Sequence, residues 1–189
     1  MLKDLVLKNR SYRRFYEDEQ ISIDTLRELV DLARNTPSTV NSQALKYKLV
    51  CTAEENEKVF STLSWAGLLK GKGVPVKGER PSAYIIVLCD LSVGKEKHWD
   101  EGIAVQTVML GAVEKGLGGC IIGSIKKEKL SEDFNIDLNK YSIDLVLALG
   151  KPKETVKLVE MPESGSTAYF RDESGTHYVP KRALDDIII

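Results

Sequence analysis

After Ser22, apolar residues recur at helical spacing: Ile23, Leu26, Leu29, Val30 and Ala33 share one face before Pro37 ends the run. With Ser22 as N-cap, this pattern predicts an amphipathic helix. Residues 47–52 then alternate like a strand, and the polar stretch 53–63 reads as a helix that turns Val59, Phe60 and Leu63 inward. Residues 70–82 are rich in glycine and proline without periodicity, which predicts a long loop. Residues 83–91 (AYIIVLCDL) are apolar almost throughout, as a central strand buried on both faces requires. In 103–113 (IAVQTVMLGAV) apolar residues run round the whole helical wheel, where a surface helix would keep a polar stripe, so this helix should be covered on all sides. A strand is expected at Ile121 and Ile122, inside the glycine-rich run 116–125, and another at 143–149, closed by Gly150 and Pro152. The chain therefore reads as one domain over residues 1–189 in which strands alternate with helices, with 152–189 as a polar C-terminal extension. Ile187, Ile188 and Ile189 would be an apolar end in water, and this predicts that the tail pairs as a strand with a sheet edge, its own or a partner's.

Composition narrows the function classes. The 189 residues are 42% hydrophobic and 29% charged, the balance of an ordinary globular domain. Twenty-seven Lys and Arg against 28 Asp and Glu leave a net charge of −1, so no bulk field favours nucleic acid or an acidic membrane surface. No stretch approaches the roughly 20 continuous apolar residues of a membrane span. The N-terminal run MLKDLVLKNRSYRRF has charges within its apolar part and no small-residue cleavage site, which argues against a secretory signal. Cys51, Cys89 and Cys120 are odd in number, far apart and set in apolar runs, so they read as reduced, buried thiols of a cytoplasmic protein.

The chemistry-bearing residues are as informative for what they omit. His98 and His177 have no cysteine or carboxylate at metal-ligand spacing, so no metal site is expected, and each reads as a surface or hydrogen-bonded residue. No nucleophile elbow and no His-paired cysteine signature is present, so no catalytic side chain is assigned. GLGGCIIGS, residues 116–124, is not a P-loop because Ser124 stands where Lys is needed. It is not a Rossmann turn either, because its glycines leave a helix and enter a strand. It is either a helix C-cap with tight packing, or a backbone that a flat ligand can approach closely. In NRSYRRF, residues 9–15, Arg10 and Arg13 flank Ser11 and offer fork donors and a hydroxyl to one phosphate, while Arg14 should face solvent. Lys181 and Arg182 form a second basic pair. In TPSTVNSQ, residues 36–43, the amides of Asn41 and Gln43 both donate and accept, as a ring with alternating carbonyl and imino groups requires; the plainer reading is a polar loop with Ser38 capping a turn.

Taken in order, NRSYRRF near residue 10, PSTVNSQ near 40, GLGGCIIG near 120, Gly150 with Pro152 and a basic pair near the C-terminus resemble the nitroreductase family of flavin enzymes. Each motif is loose, but the resemblance spans nearly the whole chain. It implies an α+β fold, a mixed β-sheet flanked by helices, in an obligate homodimer with FMN bound between subunits and the C-terminal tail exchanged onto the partner. Carried over residue by residue, Arg10, Ser11 and Arg13 resemble the phosphate and ribityl contacts, Asn41 and Gln43 the polar ring contacts, and Ile122 with Gly123 the backbone under the ring. Lys181 and Arg182 resemble the C-terminal phosphate pair, without a choice between them. One departure is Ala44, where the family often has Pro after the glutamine.

The activity implied is hydride transfer from NAD(P)H through FMN to a small-molecule acceptor, a nitroaromatic, a quinone or the like, in ping-pong fashion, with the flavin carrying the redox chemistry. A non-turnover FMN carrier or redox sensor is the alternative, and a branch using reduced FMN for dehalogenation or flavin cleavage is a third. Trp65, the 70–82 loop, Tyr169 and Phe170 are expected to shape the acceptor pocket, although Trp65 fits a plain core position equally well.

Overall fold

A computed structural model of the chain describes residues 1–69, 73–94 and 98–189. Lys70 to Lys72 of the expected long loop lie outside the described residues. The centre is the strand β3 (Ala83–Asp90), every residue of which is buried. It pairs antiparallel with β2 (Leu45–Val50) on one side and with β5 (Tyr141–Pro152) on the other. The far edge of β5 carries β4 (Gly118–Ile122) and, at its end, the short β1 (Phe15–Tyr16), both antiparallel. A parallel bridge between Ser11 and Gly119 makes the pairing mixed.

Because side chains alternate along a strand, an uninterrupted apolar run must feed two cores. Ile85, Val87, Leu147 and Leu149 point to one face, where they meet Leu26, Leu29 and Ala33 of α2 (Ile23–Arg34) and Val105, Val108, Met109 and Ala112 of α4 (His98–Glu114). Tyr84, Ile86, Leu88, Val146 and Ala148 point to the other, against Val59 of α3 (Ala53–Thr62) and Leu130 of α5 (Lys127–Phe134). Helices thus flank both faces of the sheet. Ser22 caps α2 as expected, its hydroxyl accepting from the Thr25 N–H. The strand expected at 143–149, closed by Gly150 and Pro152, is longer: β5 runs through Gly150, which leaves room for the Phe15 ring 2.7 Å from where a Cβ would stand, and ends at Pro152.

Two helices carried no usable sequence signal, α1 (Leu2–Lys8), which buries no residue, and the short α5. The C-terminal extension builds a separate sheet in which β8 (His177–Lys181) lies between β6 (Val156–Glu160), parallel, and β7 (Phe170–Arg171), antiparallel. The strand expected at the terminal isoleucines is not formed within the chain. Ile187, Ile188 and Ile189 lie outside any strand and are exposed, since β8 already has a neighbour on each side. Among the described residues, no helix is long and apolar enough to cross a membrane.

Candidate functional site

The N-terminal segment leaves α1 at Asn9 and lies along the edge of β4. Tyr12 donates its N–H to the Gly119 carbonyl at 2.9 Å. The two glycines of β4 permit this approach: a Cβ on Gly118 would stand 2.6 Å from the Tyr12 ring, and one on Gly119 would stand 2.3 Å from the Ala148 carbonyl oxygen. Gly116, with φ +73°, ends α4 in a Schellman turn, in which Leu117 N–H reaches the Ala112 carbonyl at 2.8 Å. For these three glycines, capping and tight packing explain the sequence. Gly123 differs, because it is exposed past the end of β4 and a Cβ there would meet only Leu145, at 3.7 Å.

A cleft of about 290 Å³ opens beside this segment. Asn9, Arg10, Ser11 and Arg13 form one wall, Gln106 and Met109 of α4 the floor with Gly119 and Ile121, and Tyr169, His177, Val179 and Lys181 the other wall. The last three are alternate residues of β8, so the strand's period of two delivers them to one face. Arg10 donates to the Val6 carbonyl at 2.8 Å, and Arg13 donates to the Ser11 carbonyl at 3.2 Å while its guanidinium lies 5.1 Å from the centre of the Tyr169 ring. Asn9 is tied to Gln106 at 3.3 Å. The two walls together carry three cations and, among the described residues, no carboxylate, which suits a dianionic group such as a phosphate monoester.

Of the second basic pair, Lys181 lines this cleft, whereas Arg182 lines only a separate groove with Glu160 and Asp186. His177 corrects the expectation of a surface or hydrogen-bonded histidine: it is 2% exposed with the Tyr169 ring packed on it at 5.2 Å, and its Nδ1 has no partner. Burial holds its imidazole below the ordinary value, Glu154 opposing this and Arg13 and Arg171 adding to it. The side chain of His98 lies outside the described residues. Arg14, expected to face solvent, is partly exposed and pairs with Glu79 at 3.5 Å.

Asn41 and Gln43 lie elsewhere, on the loop from α2 to β2. Asp100 of α4 anchors that loop, accepting from both the N–H and the hydroxyl of Thr39 at 2.8 Å. Ser38 precedes the turn Thr39–Asn41, but its side chain makes no cap bond there; the hydroxyl instead accepts from the Gln43 N–H at 3.1 Å, past the end of the turn. Val40, Asn41 and Gln43 have φ of 48°, 54° and 52°. Such left-handed non-glycine residues, one of them β-branched, concentrate at binding sites. Gln43 lines a second cavity, of about 310 Å³, with Pro37, Ser38, Tyr47 and Ala104; burial pushes the Tyr47 hydroxyl up to about 12. Neither amide lines the basic cleft of its own chain. The Ile122 side chain is buried in the core, so only its backbone could serve a ligand. Trp65 is 7% exposed and packs against Phe60 at 5.8 Å in the same core.

A family model described as the nitroreductase family matches residues 6–87 and 90–151, most of the chain. The chain belongs to the nitroreductase family. No curated protein matches it. Among solved structures, it is similar to a nitroreductase family protein from Streptococcus pneumoniae, with 16% identity, a TM-score of 0.72, and coverage of 100% of this chain and 99% of that one. A protein assigned as a nitroreductase and crystallised with FMN, from Exiguobacterium sibiricum, has 18% identity and a TM-score of 0.70 over 87% of this chain and 94% of its own. One assigned as an NAD(P)H:FMN oxidoreductase, from Staphylococcus epidermidis, has 17% identity and a TM-score of 0.70 over 100% and 95%. At these identities the likeness establishes the nitroreductase fold. The family match covers the cationic N-terminal segment, the 36–43 loop and the glycine strand, but stops before β6 to β8, so Tyr169, His177 and Lys181 come to the cleft from outside it. Tyr169 and Lys181 are expected from the sequence; the signal for His177 is the alternation within HYVPK, short and interrupted by Pro180.

Proposed function

We propose that this nitroreductase-family protein is an FMN-dependent oxidoreductase that carries a hydride from NAD(P)H to a nitroaromatic, quinone or similar acceptor, by a ping-pong mechanism in a homodimer. The observation that carries this reading is the carboxylate-free cleft walled by Arg10, Arg13 and Lys181. The buried Nε of Arg10 and Nδ1 of His177 also lack partners, which a bound polar group would supply. The residues fit FMN: Arg10, Ser11, Arg13 and Lys181 would hold its phosphate, and the open backbone at Ile122 and Gly123 would run under its ring. Arg182 would add only long-range charge. Asn41 and Gln43, remote from the cleft in one chain, would reach the ring of the flavin held by the other. FMN, when bound, would supply the redox chemistry of hydride transfer. The chain's own residues bind, orient and exclude water, and none is assigned as a proton donor. Trp65 would act behind the pocket wall.

The whole chain is taken as one unit, with residues 152–189 as an extension that contributes to dimer contacts. Within one chain the extension meets the N-terminal segment through Tyr169, on the Arg13 guanidinium, and Glu154, on the Arg13 and Arg14 N–H groups, and its exchange onto a partner is part of the proposal. The three free thiols suit a cytoplasmic setting. The test is spectroscopic. The protein should purify yellow, with about one FMN per subunit, and NADH or NADPH should bleach it anaerobically. Parallel double-reciprocal lines at several acceptor concentrations should follow. Bleaching by dithionite alone would instead indicate a flavin carrier or redox sensor.

A further inference from the structure

The two walls of the basic cleft come from distant parts of the chain, and one short link touches both. Residues 153–155 join β5 to β6. Lys153 donates its N–H to the Arg14 carbonyl at 2.9 Å, and the Thr155 carbonyl accepts from the His177 N–H at 2.9 Å. Between them, one carboxylate oxygen of Glu154 accepts from the backbone N–H of Arg13 and, at 3.2 Å, from that of Arg14. Its other oxygen is paired with the Arg171 guanidinium of β7. The Glu154 side chain is 2% exposed and that of Arg171 11%. A buried carboxylate is costly unless every lone pair is used, and Glu154 uses its pair to bind one wall with one oxygen and the other wall with the second.

We infer that Glu154 is the positioning residue of the cleft, a clip that fixes the segment carrying Arg10, Ser11 and Arg13 against the sheet that carries Arg171, His177 and Lys181. Glu154 does not line the cleft itself. It acts through the placement of the cations, and its negative charge also balances that of the Arg171 guanidinium. The nature of the anion rests on the FMN reading; the clip does not. Affinity for a phosphate-bearing ligand should therefore depend on Glu154, while affinity for the same ring without phosphate should not.

The test compares full-length protein, stripped of flavin, with Glu154→Ala and Glu154→Gln, titrated with FMN and with riboflavin. Charged hydrogen bonds of this kind place the expected loss of FMN affinity in Glu154→Ala at about tenfold or more, with riboflavin affinity changed less than about threefold. Glu154→Gln keeps an acceptor for Arg13 and Arg14 but loses the charge facing Arg171, so it should fall between. Hydrogen exchange on the flavin-free proteins supplies a second arm: in Glu154→Ala, protection should fall together at Arg13, Arg14 and residues 171–181, with β3 unchanged. Equal losses for FMN and riboflavin, or an unchanged FMN affinity, would overturn the inference, because the first marks general destabilisation and the second an idle carboxylate. If the parent protein binds riboflavin as tightly as FMN, the phosphate reading of the cleft fails. The clip is then decided by exchange: loss of protection on both walls supports it, and loss on one wall overturns it.

Discussion

Arg10 and Arg13 are fixed differently, which bears on how each would serve a bound phosphate. Arg10 is held by the last turn of α1, through the Val6 carbonyl, and Arg13 is braced by the Tyr169 ring. Each keeps further donors in hand. Replacing both by Ala should weaken FMN by at least about tenfold, since a charge-assisted bond contributes about 1.5–3 kcal/mol; a double variant with parental flavin affinity would move the phosphate elsewhere. His177 yields a prediction of opposite character. Its pKa in the folded protein lies below 6.5 because burial disfavours the charged ring. The unfolded chain therefore takes up this proton first as the pH falls, so the contribution of His177 to stability is complete above about pH 6.5 and is lost on acidification. In His177→Gln the fall in Tm between pH 7 and pH 5.5 should be shallower than in the parent. The turnover number of the flavin-loaded variant should stay within about tenfold, because positioned acid–base groups contribute about 100-fold or more. An unchanged acid limb would refute the linkage, and a 100-fold loss of turnover would make His177 the proton donor.

Strand β4 and the residue just beyond it show two uses of glycine. At Gly119 the missing side chain is filled by protein: Ala148 oxygen and Met109 would stand 2.3 and 3.1 Å from a Cβ. Gly119→Ala should therefore destabilise the fold by about 1–3 kcal/mol, as overpacked sites do. Gly123 has space, so Gly123→Ala should leave the denaturation midpoint unchanged and, if a flavin ring lies over it, lower FMN affinity. Equal stability losses in the two variants would remove the distinction. The same contrast explains what could be read from the sequence. The strand at 83–91 and the helix after Ser22 were legible because burial of both sheet faces and of one helix face leaves a periodic trace, as in Ile85 and Val87 against Tyr84 and Ile86. The N-terminal basic segment and the 36–43 loop were legible as chemistry because their residue types are specific. Helix α1 was not, since it buries nothing and so carries no stripe. Of the opposite wall, Lys181 and Tyr169 were legible by residue type, whereas His177, and Glu154 behind it, were not, because they owe their placement to contacts with residues far away in sequence. The left-handed backbone at Val40 also has no trace in a side chain that ordinarily disfavours it.

At the scale of the molecule, one chain leaves two things unmatched. The amides of Asn41 and Gln43 stand apart from the basic cleft, and α4, expected to be covered all round over 103–113, leaves Ile103 41% exposed and, one turn earlier, Trp99 76%. Leu2, Val6 and Leu7 of the neighbouring α1 are exposed as well. Gln106 continues the α4 surface of Trp99 and Ile103 at helical spacing and reaches the cleft floor, so a second copy seated on this surface would abut the flavin site. Burying large apolar side chains of this kind is worth about 1.5–3 kcal/mol each, and an isologous pair counts every contact twice. The prediction is a homodimer whose assembly and flavin binding fail together. Trp99→Asp combined with Ile103→Asp places unpaired carboxylates in the proposed interface, although neither residue lines the basic cleft. Light scattering at micromolar concentration should show the parent as a dimer and the variant as a monomer. The variant should keep its far-UV circular dichroism, because both positions are solvent-facing in the single chain, yet lose FMN on gel filtration for want of the second copy's Asn41 and Gln43. A monomer that retains FMN with parental affinity would place the whole flavin site within one chain, and the dimer would then have to be explained without it.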